Sequence, residues 1–321
     1  MSKLALRVLQ SCGVFSVTRE LTAGMPRILM YHNFSGPNGT DPDALNVEGV
    51  RRQFIHLRRH YRVVPLLQLA QQLASGRKLD RHMVALTIDD GRRSCYEFFF
   101  PLLKEFELPA TIFVVSSFIR RENWIWTDRV IWLSEQSNPP KHLVPGELDG
   151  VFQSLNRMRP EDRNAWIDKM AASAGLIFPK TIPEKYAPCS WSELREMANS
   201  GLMEIGSHTV THPILSSLTD EESWDELTRS RAQIGEGIGQ TVDCFCYPNG
   251  MLGDYRPSQV RQVELAGYTC SVIAQFGMVN HAGDRYRLPR IGVGRKSEIT
   301  EFSKYVDGFA YYQQKLAAGR P

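Results

Sequence analysis

Residues 83–91 read Met-Val-Ala-Leu-Thr-Ile-Asp-Asp-Gly. Six apolar or β-branched residues that run into two carboxylates and a glycine have the pattern of a buried strand stopping at a polar turn. A run without polar alternation belongs to a strand covered on both faces, as strands of parallel sheets are. Adjacent acids at the end of such a strand are costly unless a positive group faces them. A bound cation would meet that need.

The flanking sequence repeats the rhythm. Upstream, 27–31 (RILMY) predicts a short strand ending at His32, and 47–60 a helix with Val50, Phe54 and Leu57 on one face. Residues 62–66 (RVVPL) predict a strand and 66–75 a helix closed near Gly76. Downstream come a helix at 94–106 and a strand at 110–116 (ATIFVVS). The alternation predicts an α/β fold built on a parallel sheet or barrel. It breaks at 119–189, where helical patterns at 126–136 and 160–173 are punctuated by Pro139-Pro140 and Pro145-Gly146. This stretch reads as a mostly helical insertion.

The rhythm returns at Ser190, where Ser-x-x-Glu spells a capping box for a helix that Gly201 ends. A strand at 203–207 (MEIGS) delivers His208. A helix at 219–237 and a strand at 242–247 (VDCFCY) lead to Pro248-Asn249-Gly250. A helix at 256–266, strands at 268–274 and 287–293 (RLPRIGV) and a helical tail at 297–316 complete the chain. Residues 1–24 read as an N-terminal helical segment with one amphipathic helix at 3–22 packed on the main domain, 25–321. Membrane-surface association is its alternative role.

Composition narrows the function classes. The chain has 321 residues, 42% hydrophobic and 23% charged, which excludes wholesale disorder. A net charge of +3 without a long basic run excludes a nucleic-acid partner. No stretch reaches the roughly 18 apolar residues of a membrane span. The six cysteines form no Cys-x-x-Cys pair and read as buried thiols in a reducing compartment. Arg7 interrupts the apolar run that starts at Leu4, so no export signal is read and the expected location is cytoplasmic, compatible with peripheral membrane work.

Polar groups gather at the ends of predicted strands, where parallel α/β folds build their sites. His208 and His212 are spaced His-x-x-x-His, which a helix or a strand-to-helix turn can bring onto one face. Two imidazoles and the Asp90 carboxylate form a three-donor set for zinc or a similar ion. The pair alone also fits one capping and one solvated histidine. A zincin protease is excluded, because Thr209 stands where its Glu would be.

The combination is more specific than its parts. Leu86-Thr87-Ile88-Asp89-Asp90-Gly91 resembles the Thr-Phe-Asp-Asp-Gly motif of the polysaccharide deacetylases, carbohydrate esterase family 4. Residues 206–213 (GSHTVTHP) resemble that family's His-[Ser/Thr]-x-x-x-His block, and 245–250 (FCYPNG) its Phe-Ala-Tyr-Pro-x-Gly motif. Ile28-Leu29-Met30-Tyr31-His32 is similar to the Leu-x-Tyr-His opening of the branch that includes poly-N-acetylglucosamine deacetylases. The resemblance covers about 27–293.

It implies a distorted (β/α) barrel of about seven strands and the removal of acetyl groups from a sugar. It also implies a divalent ion, usually zinc, on Asp90, His208 and His212, with Asp89 as general base. The oxyanion would form at the turn of Tyr247 and Asn249, against the Asn249 N–H. No Leu-x-His acid motif occurs near the C-terminus, and His281 in its polar loop (VNHAGD) does not match. In the branch with the Tyr-His opening that block supplies the acid, so the resemblance implies this role for His32, whose alternative is a buried structural histidine. Cys246 stands where the family has an arginine beside the base. Arg290 either reaches the site and pairs with Asp89 or bridges a surface loop. Trp124, Trp126, Trp191 and Tyr247 are candidates for sugar stacking, with core packing as the alternative. Glu204 reads as a cap or pairing partner, and His56, His60, His82 and His142 as surface residues.

Three functions are weighed. The first is a metal-dependent deacetylase acting on an N-acetylated glycan or its lipid- or nucleotide-linked precursor. The second is a catalytically impaired carbohydrate-binding relative. The third is an amidase on a non-sugar substrate.

Overall fold

Ten strands organise the chain: β1 (Arg27–Tyr31), β2 (Phe34–Ser35), β3 (Leu45–Asn46), β4 (Arg62–Val63), β5 (Met83–Ile88), β6 (Ala110–Val114), β7 (Met203–Ser207), β8 (Cys244–Cys246), β9 (Cys270–Phe276) and β10 (Leu288–Gly292). The computed structural model describes residues 2–39, 41, 44–144, 148–280, 284–294 and 298–318. Pro145-Gly146 and His281 lie outside the described residues. Strands β5 to β10 follow one another in parallel, and β1 closes the ring by pairing with both β10 and β5. The result is a seven-strand parallel (β/α) barrel, distorted by a register shift between Leu288 and Arg290. Strand β4 adds a short pairing to the start of β5, and β2 pairs with β3 in a small ladder absent from the sequence reading.

Side-chain alternation explains both cores. Ile28, Met83, Ala85, Phe113, Cys244, Cys246, Cys270, Val272 and Leu288 share one buried cluster that fills the barrel. Their neighbours Leu29, Leu86, Ile88, Ile112, Phe245 and Ile291 belong to the cluster between barrel and helices. The two-residue period of a strand produces this division. Gly206 is required on β7, because a Cβ there would lie 2.5 Å from the Phe113 ring. Five cysteines are buried, Cys12 is exposed, and none of the six is in a disulfide.

The capping box forms as read. Ser190 Oγ accepts from the Glu193 N–H at 3.2 Å, and Glu193 Oε2 accepts from the Ser190 N–H at 2.6 Å. The insertion carries helices Trp126–Ser134, Asp149–Leu155 and Pro160–Ser173 around a small core of Trp126, Val130, Leu133, Leu155 and Ile167. The single N-terminal helix expected over 3–22 is instead two, Lys3–Ser11 and Val14–Leu21, because Gly13 adopts a left-handed conformation between them. They pack on the tail, which also breaks into two helices, Ile299–Val306 and Phe309–Ala318. Phe15 meets Phe309 at 5.4 Å between ring centres, and Lys3 Nζ lies 2.7 Å from Glu298 Oε1. Among the described residues no helix is long and apolar enough to cross a membrane.

Candidate active site and metal centre

The alternation that fills the barrel also aims the site. Thr87 and Asp89 continue the inward face of β5 after Ala85. Cys246 follows Cys244 on β8, and Arg290 follows Leu288 on β10. Asp89 and Arg290 are both buried and meet in a bidentate pair, with Nη1 to Oδ1 at 2.7 Å and Nη2 to Oδ2 at 2.8 Å. The other Arg290 donors reach Thr87 Oγ1 at 3.1 Å, the Ile273 carbonyl at 3.1 Å and Cys246 Sγ at 3.2 Å. Burial works against the Asp89 charge, but the Arg290 guanidinium and its hydrogen bonds hold the carboxyl well below the usual carboxylate range. The arginine beside Asp89 is thus supplied from the last strand and lies against Cys246.

Asp90, His208 and His212 converge next to this pair. Asp90 Oδ1 lies 3.9 Å from His208 Nε2 and 3.8 Å from His212 Nε2, and the two Nε2 atoms are 3.2 Å apart. The histidines sit on a turn rather than a helix, with left-handed backbone at Thr209 and His212. Asp90 and Asn249 share that conformation. Four of the seven non-glycine residues with positive φ among the described residues therefore lie in the turns of this site. Such backbone costs free energy and persists only where surrounding contacts impose it. Those contacts include Thr209 Oγ1, which accepts from the His212 N–H at 3.0 Å. Glu226 adds more, accepting from the N–H groups of Val210 at 2.6 Å and Thr211 at 3.0 Å.

The donor chemistry fits a divalent ion. His208 Nδ1 lies 2.8 Å from the Cys246 carbonyl, an acceptor only, so Nδ1 carries the proton and Nε2 presents a lone pair. Burial lowers the pKa of both imidazoles, that of His212 to about 3, so both are neutral donors. Tetrahedral ligation at about 2.0–2.1 Å places neighbouring donors roughly 3.3 Å apart, close to the imidazole spacing. His212 Nδ1 is buried without a hydrogen-bond partner among the described residues. A second group, Asp89, His208 and Cys246, is also close enough to hold an ion. It is poorly suited, because Arg290 occupies Asp89 and burial pushes the Cys246 thiol well above its usual pKa.

The remaining sequence candidates divide. His32 is half exposed, with Nε2 3.7 Å from Asp89 Oδ2, which rules out the buried structural reading. Asn249 is exposed in the turn after β8, and its side chain donates to Asp254 Oδ2 at 2.6 Å. Tyr247 does not face the site. It follows Phe245 on the outer face of β8, is buried against Tyr255 at 4.4 Å between ring centres, and donates to the Tyr286 carbonyl at 3.2 Å. Trp126 is buried against Phe152, and Trp124 packs on Trp132 and Tyr186. Trp191 covers Gly237. None of the three lines the cavity at the site.

Glu204 accepts from the Leu67 N–H at the start of helix Leu66–Ala74, as a cap does. His142 is exposed, but His56 and His82 are not simple surface residues. His56 Nε2 lies 3.1 Å from the buried Asp307, and His82 Nε2 is 3.3 Å from Glu20. Sequence reasoning missed Arg92, Asp128 and Glu226, whose partners lie across turns or in the insertion. The cavity beside the site measures about 540 Å3. Met30, His32 and Asp90 line its barrel side, with Asp128, Ile131 and Tyr186 on the insertion side.

A carboxylate and two imidazoles beside a separately held carboxylate, at the C-terminal mouth of a parallel barrel, mark a hydrolase of the deacetylase type. The family model described as polysaccharide deacetylase matches residues 76–270, more than half of the chain, and the chain belongs to that family. Among curated relatives, the YxkH protein of Bacillus subtilis (strain 168) is 21% identical over 291 residues, 91% of this chain and 79% of its own length. The poly-beta-1,6-N-acetyl-D-glucosamine N-deacetylase of Escherichia coli (strain K12) is 24% identical over 82% of this chain, which spans only 35% of that enzyme. Two solved structures share the fold. The deacetylase PplD of Streptococcus pyogenes superposes with a TM-score of 0.62 at 16% identity, covering 89% of this chain and 99% of its own. IcaB of Ammonifex degensii gives 0.60 at 20% identity, covering 88% and 97%.

Proposed function

We propose that the chain is a metal-dependent hydrolase that removes acetyl groups from N-acetylated sugars of a polysaccharide or of its lipid- or nucleotide-linked precursor. The observation that carries this reading is the pair of buried carboxylates held apart in function: Asp89 by Arg290, and Asp90 beside two neutral imidazoles. Asp90, His208 and His212 would hold the ion, most simply zinc. When bound, a zinc-type ion supplies Lewis acidity toward the acetyl carbonyl and a water of lowered pKa.

The chain's own groups do the rest. Asp89, kept ionised by Arg290, accepts the proton of the attacking water at a carboxylate oxygen. His32, half exposed and within 3.7 Å of Asp89, donates a proton to the departing amine, which leaves poorly as an anion. The Asn249 N–H, which makes no hydrogen bond among the described residues, faces the developing oxyanion. The impaired-relative reading loses its main support, because Arg290 pairs with Asp89 and lies against Cys246.

Acetate release from an oligomer of N-acetylglucosamine and from a lipid-linked N-acetylated sugar tests the proposal. The wild type should release acetate from at least one of them. Asp89→Asn should keep its metal and lose about 10²–10⁴-fold in turnover. A metal-loaded wild type inert on both, or an Asp89→Asn variant of unchanged rate, contradicts it.

A further inference from the structure

The helical insertion reaches the metal ligands through one buried ion-pair chain. Asp90 turns Oδ1 toward the imidazoles, and its Oδ2 accepts from Arg92 Nε at 3.2 Å. Arg92 Nη2 in turn donates to Asp128 Oδ1 at 2.6 Å. Asp128 is at the start of the insertion helix Trp126–Ser134, only 1% exposed, and its Oδ2 has no hydrogen-bond partner among the described residues. Among the described residues the ion pair of Asp128 is with the arginine bound to a metal ligand, and Lys185 acts on it more weakly. Both Arg92 and Asp128 line the cavity beside the site.

We infer that Asp128 acts through Arg92 as a positioning residue, fixing which Asp90 oxygen faces a bound divalent ion and so making the insertion a determinant of metal affinity. A guanidinium beside a liganding carboxylate competes with the ion for it. Asp128 limits that competition in two ways. It balances the Arg92 charge, and it holds the guanidinium on Oδ2 so that Oδ1 stays free for the ion. With Asp128 neutral, Arg92 gains a second claim on Asp90 and the ion faces an extra uncompensated cation. Partners at this remove from a metal typically change its affinity 10- to 100-fold.

The inference rests on the metal-site reading, and the test separates the two. Metal-free protein is titrated with zinc, and with cobalt to follow its absorption bands, in the wild type, Asp128→Asn, Arg92→Met and the double variant. Asp128→Asn should raise the metal Kd about tenfold or more and shift the cobalt bands. Added to Arg92→Met, the same change should alter Kd less than about twofold, because its route to Asp90 is already cut. If Asp128→Asn does not fold, Arg92→Lys, which lacks the fork to span both carboxylates, should raise Kd instead. Wild-type affinity in Asp128→Asn, or an equal loss in both backgrounds, overturns the inference. A wild type that binds neither metal overturns the site reading itself.

Discussion

Replacing Arg290 by methionine leaves Asp89 buried in the barrel without its bidentate partner. Removing one member of a buried, hydrogen-bonded ion pair costs about 3–5 kcal/mol, because the remaining charge loses its compensation. Asp89 is only 3% exposed, so solvent offers little relief. At roughly 2–4 °C per kcal/mol, somewhat less in a chain this long, the melting temperature at pH 7 should fall by roughly 5–15 °C.

The pH dependence follows from the sign of the shift. Arg290 holds the folded-state pKa of Asp89 below its unfolded value of about 3.9. The pair therefore stabilises fully above that value and less as pH falls through the folded-state pKa. The difference in melting temperature between wild type and Arg290→Met should be largest at neutral pH and shrink below about pH 4. The acid limb of any acetate-release profile should move to higher pH, because the Asp89 carboxyl loses the guanidinium that holds its pKa down. Arg290→Met/Asp89→Asn should be more stable than the two single losses predict. Parallel melting profiles across this pH range, or a double variant whose cost equals the sum of the singles within about 0.5 kcal/mol, would refute the reasoning.

Three further outcomes follow from the same geometry. His32→Ala should slow an acetamide substrate more than an acetyl ester with a good leaving group, measured as kcat/KM on both; equal losses would assign His32 a structural role. Zinc removal with a chelator should lower the melting temperature by several degrees and zinc return should restore it, since a ligand at about 100 times its Kd contributes about 2.7 kcal/mol. Gly206→Ala should destabilise by about 1–3 kcal/mol in a denaturant titration, because its Cβ would meet the Phe113 ring and the Cys244 carbonyl.

The legible parts were local. Strand β5 and its Asp-Asp-Gly ending lie in nine consecutive residues, and His208 and His212 are one turn apart, so pattern and spacing carried them. The Arg290–Asp89 pair was legible only as one of two alternatives. Asp89 is 201 residues away, and only closure of the barrel between β10, β1 and β5 brings the two together. The Arg92–Asp128 contact depends on how the insertion folds back, and Glu226 reaches its turn from a helix 15 residues on.

Tyr247 was readable and misread. Cys244 and Cys246 face inward, so the two-residue period puts Phe245 and Tyr247 outside. Gly13 similarly carried the signal that divides the N-terminal helix. His56 sits among arginines in sequence, which hid a partner, Asp307, that is 251 residues distant.

The central claim is that Asp90, His208 and His212 form a divalent-metal centre. Metal analysis of the purified protein beside the His208→Ala/His212→Ala variant tests it most directly. The account predicts about one zinc-type ion per chain in the wild type and essentially none in a folded double variant. A wild type that takes up no ion after incubation with zinc or cobalt, or a variant that keeps its full complement, would contradict it.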